Sequence, residues 1–318
     1  MDLTQVTLTQ MRYAVAVAET RSFRLASERC HVSQSGLSMQ IQKLEDLLGA
    51  VLFDRRKKPV LPTKEGDAAI AQMRVILRET ERLGQILAEE DAPSGPFRLG
   101  VIPTMSSTVL PLFLHPFVEA NPRVDLVIEE LKTEEIIARL HADTLEAGLA
   151  ATPLAETGLV EEPLALEPLY AYLPPGDPLL RKRRLTQADL SARELWVMPE
   201  GHCFRSQVLS YCGAEEAIAP GRVKFESGSF ETLIQLVDGG MGATIVPALV
   251  VRALSPEKKE AQVRPLVAPT PVREIGLVTA RTDFRRRIFE ALAKTIRECL
   301  APALGREPRR SLVLDPRA

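Results

Sequence analysis

A chain of 318 residues that is 45% hydrophobic and 26% charged, with a net charge of −2, has the length for two or three folded units and enough apolar material to give each a core. No basic n-region leads into an apolar run at the start, and no stretch reaches the roughly 18 unbroken apolar residues of a membrane span, so a cytoplasmic protein with no membrane partner is expected. Four cysteines at this length rule out a disulfide scaffold, and the small net charge hides a basic end: through Lys64 ten basic side chains stand against six acidic ones, leaving +4 there and −6 in the remainder, the distribution of a polyanion-binding module joined to a different body.

Residues 8–20 predict a helix with apolar Leu8, Met11, Val15 and Val17, and Ser22 is a capping residue for a second helix over 22–30. After the short connection "HVS" a third helix covers 33–48. Its Leu37, Ile41, Leu44 and Leu48 fall on one stripe, and Gly49 is its C-cap. The stretch "VLFDRRKKPVLPTKEG" then places two short apolar runs around a basic turn. Three helices and a basic hairpin are the plan of a winged helix-turn-helix over residues 1–63. The stripe turns Ser33, Gln34, Ser35, Ser38 and Gln42 outward, short hydrogen-bonding side chains suited to base edges in a major groove. Ser22 and Arg24 at the start of the second helix join that set, and Arg55 and Arg56, with Lys57 and Lys58, are placed to meet phosphate. Taken singly, each of these is most often a solvated polar or charged face. The ordered set argues for double-stranded operator DNA.

Residues 64–91 continue as a long helical pattern with Ile70, Met73, Ile76, Leu77, Leu83 and Leu87 apolar, the pattern of a linker helix that pairs with its own copy. "DAPSGP" (91–96) is a hinge. Beyond it, strands at 97–103 and 124–131 alternate with helices over "STVLPLFLHPFVEANP" and "EEIIARLHADTLEAGLAA", the latter running into a third strand, which predicts parallel α/β units. Further strands are expected at 167–175, 194–200, 222–227, 243–250 and 273–281, helices at 230–242 and over "FRRRIFEALAKTIRECLAPA", and a mobile tail over 303–318.

The segment "EGHCFRSQVLSYCG" (200–213) holds Cys203 and Cys212, half of the cysteines. In a reducing compartment such a pair is inert, metal-binding or redox-active. His31, His115 and His141 show no ligand spacing, so no metal and no cofactor is expected. Cys30 and Cys299 stand as incidental thiols, and "DGGMGA" ends a helix rather than opening one, which makes it a turn and not a phosphate loop.

The block "RSFRLASERCHVSQSGLSMQIQKLEDLLGAVLFDR" followed by "PTKEG" resembles the LysR-type transcriptional regulators, and the likeness extends over roughly 6–302. It implies a winged helix-turn-helix, a dimerising linker helix over 64–91, and an effector domain over 96–302 like the periplasmic binding proteins. That domain has one subdomain at 96–166 plus 271–302 and a second at 167–270. It also implies a homodimer or homotetramer, with RNA polymerase as a partner. "GHCFRSQVLSYC", "GVIPT" (100–104) and "LKTEE" (131–135) resemble the peroxide-responsive branch of that family. By that likeness Cys203 is the peroxidatic cysteine and Cys212 the resolving one. Thr104, Thr133, His202 and Arg205 line the pocket, and hydrogen peroxide is the signal. The wing "RRKKP" and the segment 278–287 depart from the family's pattern.

The residues allow this chemistry. Nine helical positions separate the two sulfurs by about 13.5 Å along the axis and put them on opposite faces, whereas a disulfide needs Cα atoms within about 7 Å. Helix and disulfide therefore exclude each other, which makes the segment bistable. A thiol at a helix start gains from the dipole, with Arg205 adding charge and His202 a hydrogen bond. Two other functions compete: a LysR-type regulator that binds a small metabolite between its subdomains, and a thiol peroxidase. The paired cysteines favour the redox regulator over the first. The lack of a thioredoxin-like pattern disfavours the enzyme.

Overall fold

The computed structural model describes residues 3–87, 92–191, 193–213, 228–280 and 285–317. It forms two compact units, Met1–Asp91 and Ala92–Ala318. The first unit holds α1 (Leu8–Thr20), α2 (Phe23–Arg29), α3 (Gln34–Leu48), a wing of antiparallel β1 (Phe53–Asp54) and β2 (Leu61–Pro62), and the long α4 (Lys64–Leu87). Each short helix is capped by the residue its sequence offers. Thr7 and Gln10 form a capping box, Ser22 accepts from the Leu25 N–H, Ser33 accepts from the Gly36 N–H, and Gly49 closes α3 at φ 64°.

Leu37, Ile41 and Leu44 of α3 are fully buried with Ala14, Val17, Ala26, Leu52 and Phe53. The first helix differs from its expected stripe: Leu8 is 43% exposed, and the buried positions are Gln10, Ala14, Ala16 and Val17. Small residues let α1 approach its neighbours closely, so the long side chains at the helix start are not needed for the core. Buried Glu45 joins α3 to the wing. Its carboxylate accepts the N–H groups of Leu52 and Phe53 and pairs with Arg55 at 2.8 Å.

The second unit is one mixed sheet in two halves. Its strands are β3 (Gly95–Val101), β4 (Val124–Glu130), β5 (Ala147–Thr152), β6 (Val160–Tyr172), β7 (Leu195–Trp196), β8 (Ala243–Pro247), β9 (Val263–Pro265), β10 (Thr270–Thr279) and β11 (Ser311–Val313). Its helices are α5 (Pro103–Ser106), α6 (Leu110–Ala120), α7 (Thr133–His141), α8 (Gln187–Ser191), α9 (Cys203–Cys212), α10 (Phe230–Asp238), α11 (Ala248–Ala253), α12 (Pro256–Gln262) and α13 (Arg286–Leu304). The order is β4-β3-β5-β10-β6-β8-β7. β3 runs parallel to β4 and β5, and β7 parallel to β8, as βαβ units require. The two long strands β6 and β10 are antiparallel to each other, β10 is antiparallel to β5 and β6 to β8, so the sheet is not purely parallel. β6 changes partner part-way: it pairs with β10 through Pro168, with β8 from Leu169 and with β9 from Tyr170. Two apolar cores follow, one containing Leu99, Phe113, Ile136, Leu149, Leu277 and Leu292, the other Tyr172, Leu195, Phe204, Leu233 and Ile245.

Three expectations need correction. The strand at 243–250 stops at Pro247, which becomes the N-cap of α11, and the strand at 194–200 shortens to two residues. The tail is packed, not loose. β11 runs parallel to β10, and Leu314 is 4% exposed in the second core. The strand expected at 222–227 lies outside the described residues.

Candidate functional site

α9 begins at Cys203 and ends at Cys212, with His202 as N-cap and Gly213 closing it at φ 67°. The helix straddles the two cores. Cys203 is buried against the first, while Phe204, Val208, Tyr211 and Cys212 pack in the second. All four cysteines are free thiols. Beside Cys203 is a cleft of about 320 Å³ lined by Thr133, Glu134, His202, Arg205, Pro316 and Arg317 among others.

Three elements aim polar groups at this point. Thr104 sits at the N-terminal turn of α5 after β3, Thr133 opens α7 after β4, and Arg273 lies near the start of β10. Arg273 is 1% exposed. Its Nε donates to Glu167 Oε2 at 2.6 Å, its Nη2 reaches the Thr104 carbonyl at 3.3 Å, and its guanidinium stands 5.6 Å from the Phe204 ring centroid. Arg273 Nη1 and Thr104 Oγ1 are both buried without a hydrogen-bond partner among the described residues. Two unsatisfied donors in a buried place are costly unless a small polar molecule takes them up.

Burial pushes the Cys203 thiol above its ordinary value. The Arg273 charge, a hydrogen bond from Thr133 and the Phe204 N–H oppose that rise and offset part of the desolvation. Cys212 has no such help, and burial alone pushes it up to about 12. The expected helpers divide differently. Arg205 donates to the Met198 carbonyl at 3.1 Å and lines the cleft, so the cation acting on the sulfur is Arg273. His202 is held below its usual pKa by burial and by Lys132, which keeps the imidazole neutral near pH 7.

In the first unit, Gln34, Ser35 and Gln42 are exposed on α3, and Ser38 is half-buried. Ser33 and Ser22 spend their hydroxyls on helix caps. Arg24 pairs with Glu28, and Gln42 donates to Asp46. Arg55 is held by Glu45 and stands 5.2 Å from the Phe23 ring centroid. Arg56 is exposed, and its backbone N–H donates to Asp54.

Residues 8–67 match the bacterial regulatory helix-turn-helix protein model of the lysR family, and residues 90–301 match the LysR substrate binding domain. The chain belongs to the LysR family. Within that family it is 35% identical over 290 residues to the DNA-binding transcriptional dual regulator OxyR of Escherichia coli K12, covering 90% of this chain and 93% of that protein. It is 33% identical over 301 residues to a probable hydrogen peroxide-inducible genes activator of Mycobacterium avium, covering 93% and 95%. Among solved structures, full-length OxyR from Pseudomonas aeruginosa, a cysteine-to-aspartate variant, superposes with a TM-score of 0.77 at 33% identity over 93% of this chain and 99% of that one. A peroxide-bound cysteine-to-serine variant of Corynebacterium glutamicum OxyR gives a TM-score of 0.62 at 26% identity, covering 95% of each chain.

In this LysR-family chain the fold gathers Cys203, Thr133, His202 and Arg205 around one cleft and ties Thr104 to them through Arg273. Arg273 and Glu167 are the residues that sequence reasoning missed. A signal was present: "TPVREIGLVT" and "ALEPLYAYL" both put charge inside an apolar strand, the pattern of a buried ion pair.

Proposed function

We propose that this LysR-family protein is a DNA-binding transcriptional regulator that senses hydrogen peroxide through a reversible Cys203–Cys212 disulfide and controls oxidative-stress genes. The observation that carries the reading is α9 itself: a buried thiol at its first residue, with the Arg273 charge acting on it, and a second thiol at its last.

The Cys203 sulfur attacks one peroxide oxygen. An S–O bond forms, the O–O bond breaks and water leaves. The Thr104 hydroxyl and Arg273 Nη1, both unpartnered among the described residues, orient the peroxide oxygens and support the departing hydroxide. The Cys212 thiol then attacks the sulfenic sulfur, the S–S bond forms and a second water leaves. Two thiols are oxidised and one peroxide is reduced. The ten-residue helix holds the sulfurs about 13.5 Å apart along its axis, so the second step requires α9 to unwind. Reading heads over residues 1–63 on the linker helix bind two-fold operator DNA, and the rearranged effector domains change the spacing of those heads. The protein acts in the cytoplasm as a homotetramer of two dimers, with RNA polymerase as its partner.

Thiol counting with mass spectrometry after a stoichiometric peroxide pulse tests the reading. Two thiols are lost in the parent. Cys212→Ser stops at the sulfenic acid, and Cys203→Ser neither reacts nor changes its footprint on DNA. A Cys203→Ser footprint that shifts with peroxide as the parent's does overturns the mechanism. No thiol lost favours a metabolite-binding regulator, and sustained peroxide consumption favours a peroxidase.

A further inference from the structure

The C-terminal segment reaches the sensing helix directly. Gln207 lies four residues after Cys203, is fully buried, and donates from Nε2 to the Leu314 carbonyl at 2.9 Å. Its Oε1 has no partner among the described residues, so the bond to the tail is the hydrogen bond that anchors the buried amide. The tail is itself fixed at three places. β11 pairs with Thr270, Pro271 and Val272 of β10, the Leu314 N–H donates to the Val272 carbonyl at 2.9 Å, and Leu314 fills the second core. Further on, Arg317 donates to the Leu154 carbonyl at 3.0 Å and pairs with Glu156 at 2.5 Å, while Pro316 and Arg317 wall the cleft beside Cys203. One strand of chain thus runs from the second core, across the buried face of α9, to the loop after β5.

We infer that Gln207 and the segment 311–317 form a positioning strap that holds α9 helical, keeps Cys203 in its reduced-state pocket, and detaches when the disulfide forms. The inference rests on the disulfide reading above. The physical reason is that the bond between Gln207 and the Leu314 carbonyl is made by the helical arrangement. Unwinding α9 carries Gln207 away from Leu314, and the tail then loses its bond to the sensing helix while β11, Leu314 and the Arg317 contacts remain. The strap therefore weighs the thiol–disulfide equilibrium toward the thiols, and Gln207 acts through the helix without touching the reacting sulfur.

The test uses the full chain. Hydrogen exchange with mass spectrometry is read over 311–317 in the thiol form and in the peroxide-oxidised form, with the disulfide verified on the same sample. The thiol–disulfide equilibrium against a dithiol buffer is measured for the parent, Gln207→Met, Leu314→Asp and the double variant. Exchange in the tail is expected to rise at least roughly tenfold on oxidation. Gln207→Met keeps the volume and removes the donor, and is expected to move the equilibrium roughly fivefold toward the disulfide. It adds nothing further in the Leu314→Asp background, where the strap is already undocked. A disulfide that forms while tail exchange stays unchanged overturns the strap alone, as does a Gln207→Met equilibrium equal to the parent's. Absence of the disulfide overturns the strap together with the reading beneath it.

Discussion

Arg273 sits where a cation is most costly, 1% exposed inside a strand, and Glu167 opposite it is fully buried. Glu167 also accepts the Leu249 N–H at 2.7 Å, so this carboxylate is doubly committed. Removing one partner of such a pair leaves the other uncompensated, which typically costs about 3–5 kcal/mol, whereas removing both is far milder. Arg273→Met is therefore expected to lower stability by about that amount, and Glu167→Gln with Arg273→Met to recover most of it. Both proteins are expected to react slowly with peroxide, because the charge that opposes the desolvation of Cys203 is gone. The thiolate fraction at neutral pH falls about tenfold for each unit by which the thiol's pKa rises. Denaturant melts and stopped-flow oxidation rates measured side by side decide this. A double variant that regained full reactivity with its stability would make Arg273 a packing residue only.

At the scale of elements, α9 and α3 each do one job because of what their ends carry. The switch in α9 depends on a helical length that keeps its terminal thiols apart. In α3, the buried Leu37, Ile41 and Leu44 fix the helix, and Ser33 caps it, leaving Gln34 exposed at its first residue. The wing cations divide. Arg55 is spent on Glu45, while the Arg56 side chain is exposed. Gln34→Ala is expected to cost about 1–3 kcal/mol on a specific operator and little on random duplex. Arg56→Ala is expected to weaken both alike and reduce the salt slope by about one. Gel-shift titrations at two salt concentrations separate the two patterns, and unchanged affinity in both variants sinks the assignment of this face to DNA.

At the scale of the whole molecule, α4 has more apolar surface than its own reading head uses. Ile70 and Met73 are buried in the first unit, Ile76 and Leu77 are half-buried, and Leu83 is 59% exposed. An apolar stripe that continues past its own core is expected to pair with the same stripe of a second copy. Two heads about 34 Å apart then match a two-fold operator. Light scattering of the full chain at micromolar concentration is expected to give the mass of a dimer or tetramer, and Leu83→Glu to shift it toward monomer. A parent protein that runs as a monomer contradicts the assembly.

Local pattern determined much of this protein. The helix periods and caps of the first unit, the long linker helix, the strand and helix alternation of the second, and the ten-residue segment between two cysteines were all legible, because each rests on neighbours within a turn or two of chain. The tertiary structure decided what depends on distant partners. The direction of β6 and β10, which makes the sheet mixed, is set by pairings far apart in sequence. So is the choice of cation at the sulfur. Arg205 is close to Cys203 in the chain but turns to a carbonyl, while Arg273, seventy residues away, is brought by the sheet to where its charge acts on the sulfur. The tail carries four arginines and two prolines between 306 and 318, a composition that reads as loose chain. It is fixed because the edge of β10 and the buried amide of Gln207 offer it hydrogen bonds that nothing in its own residues announces.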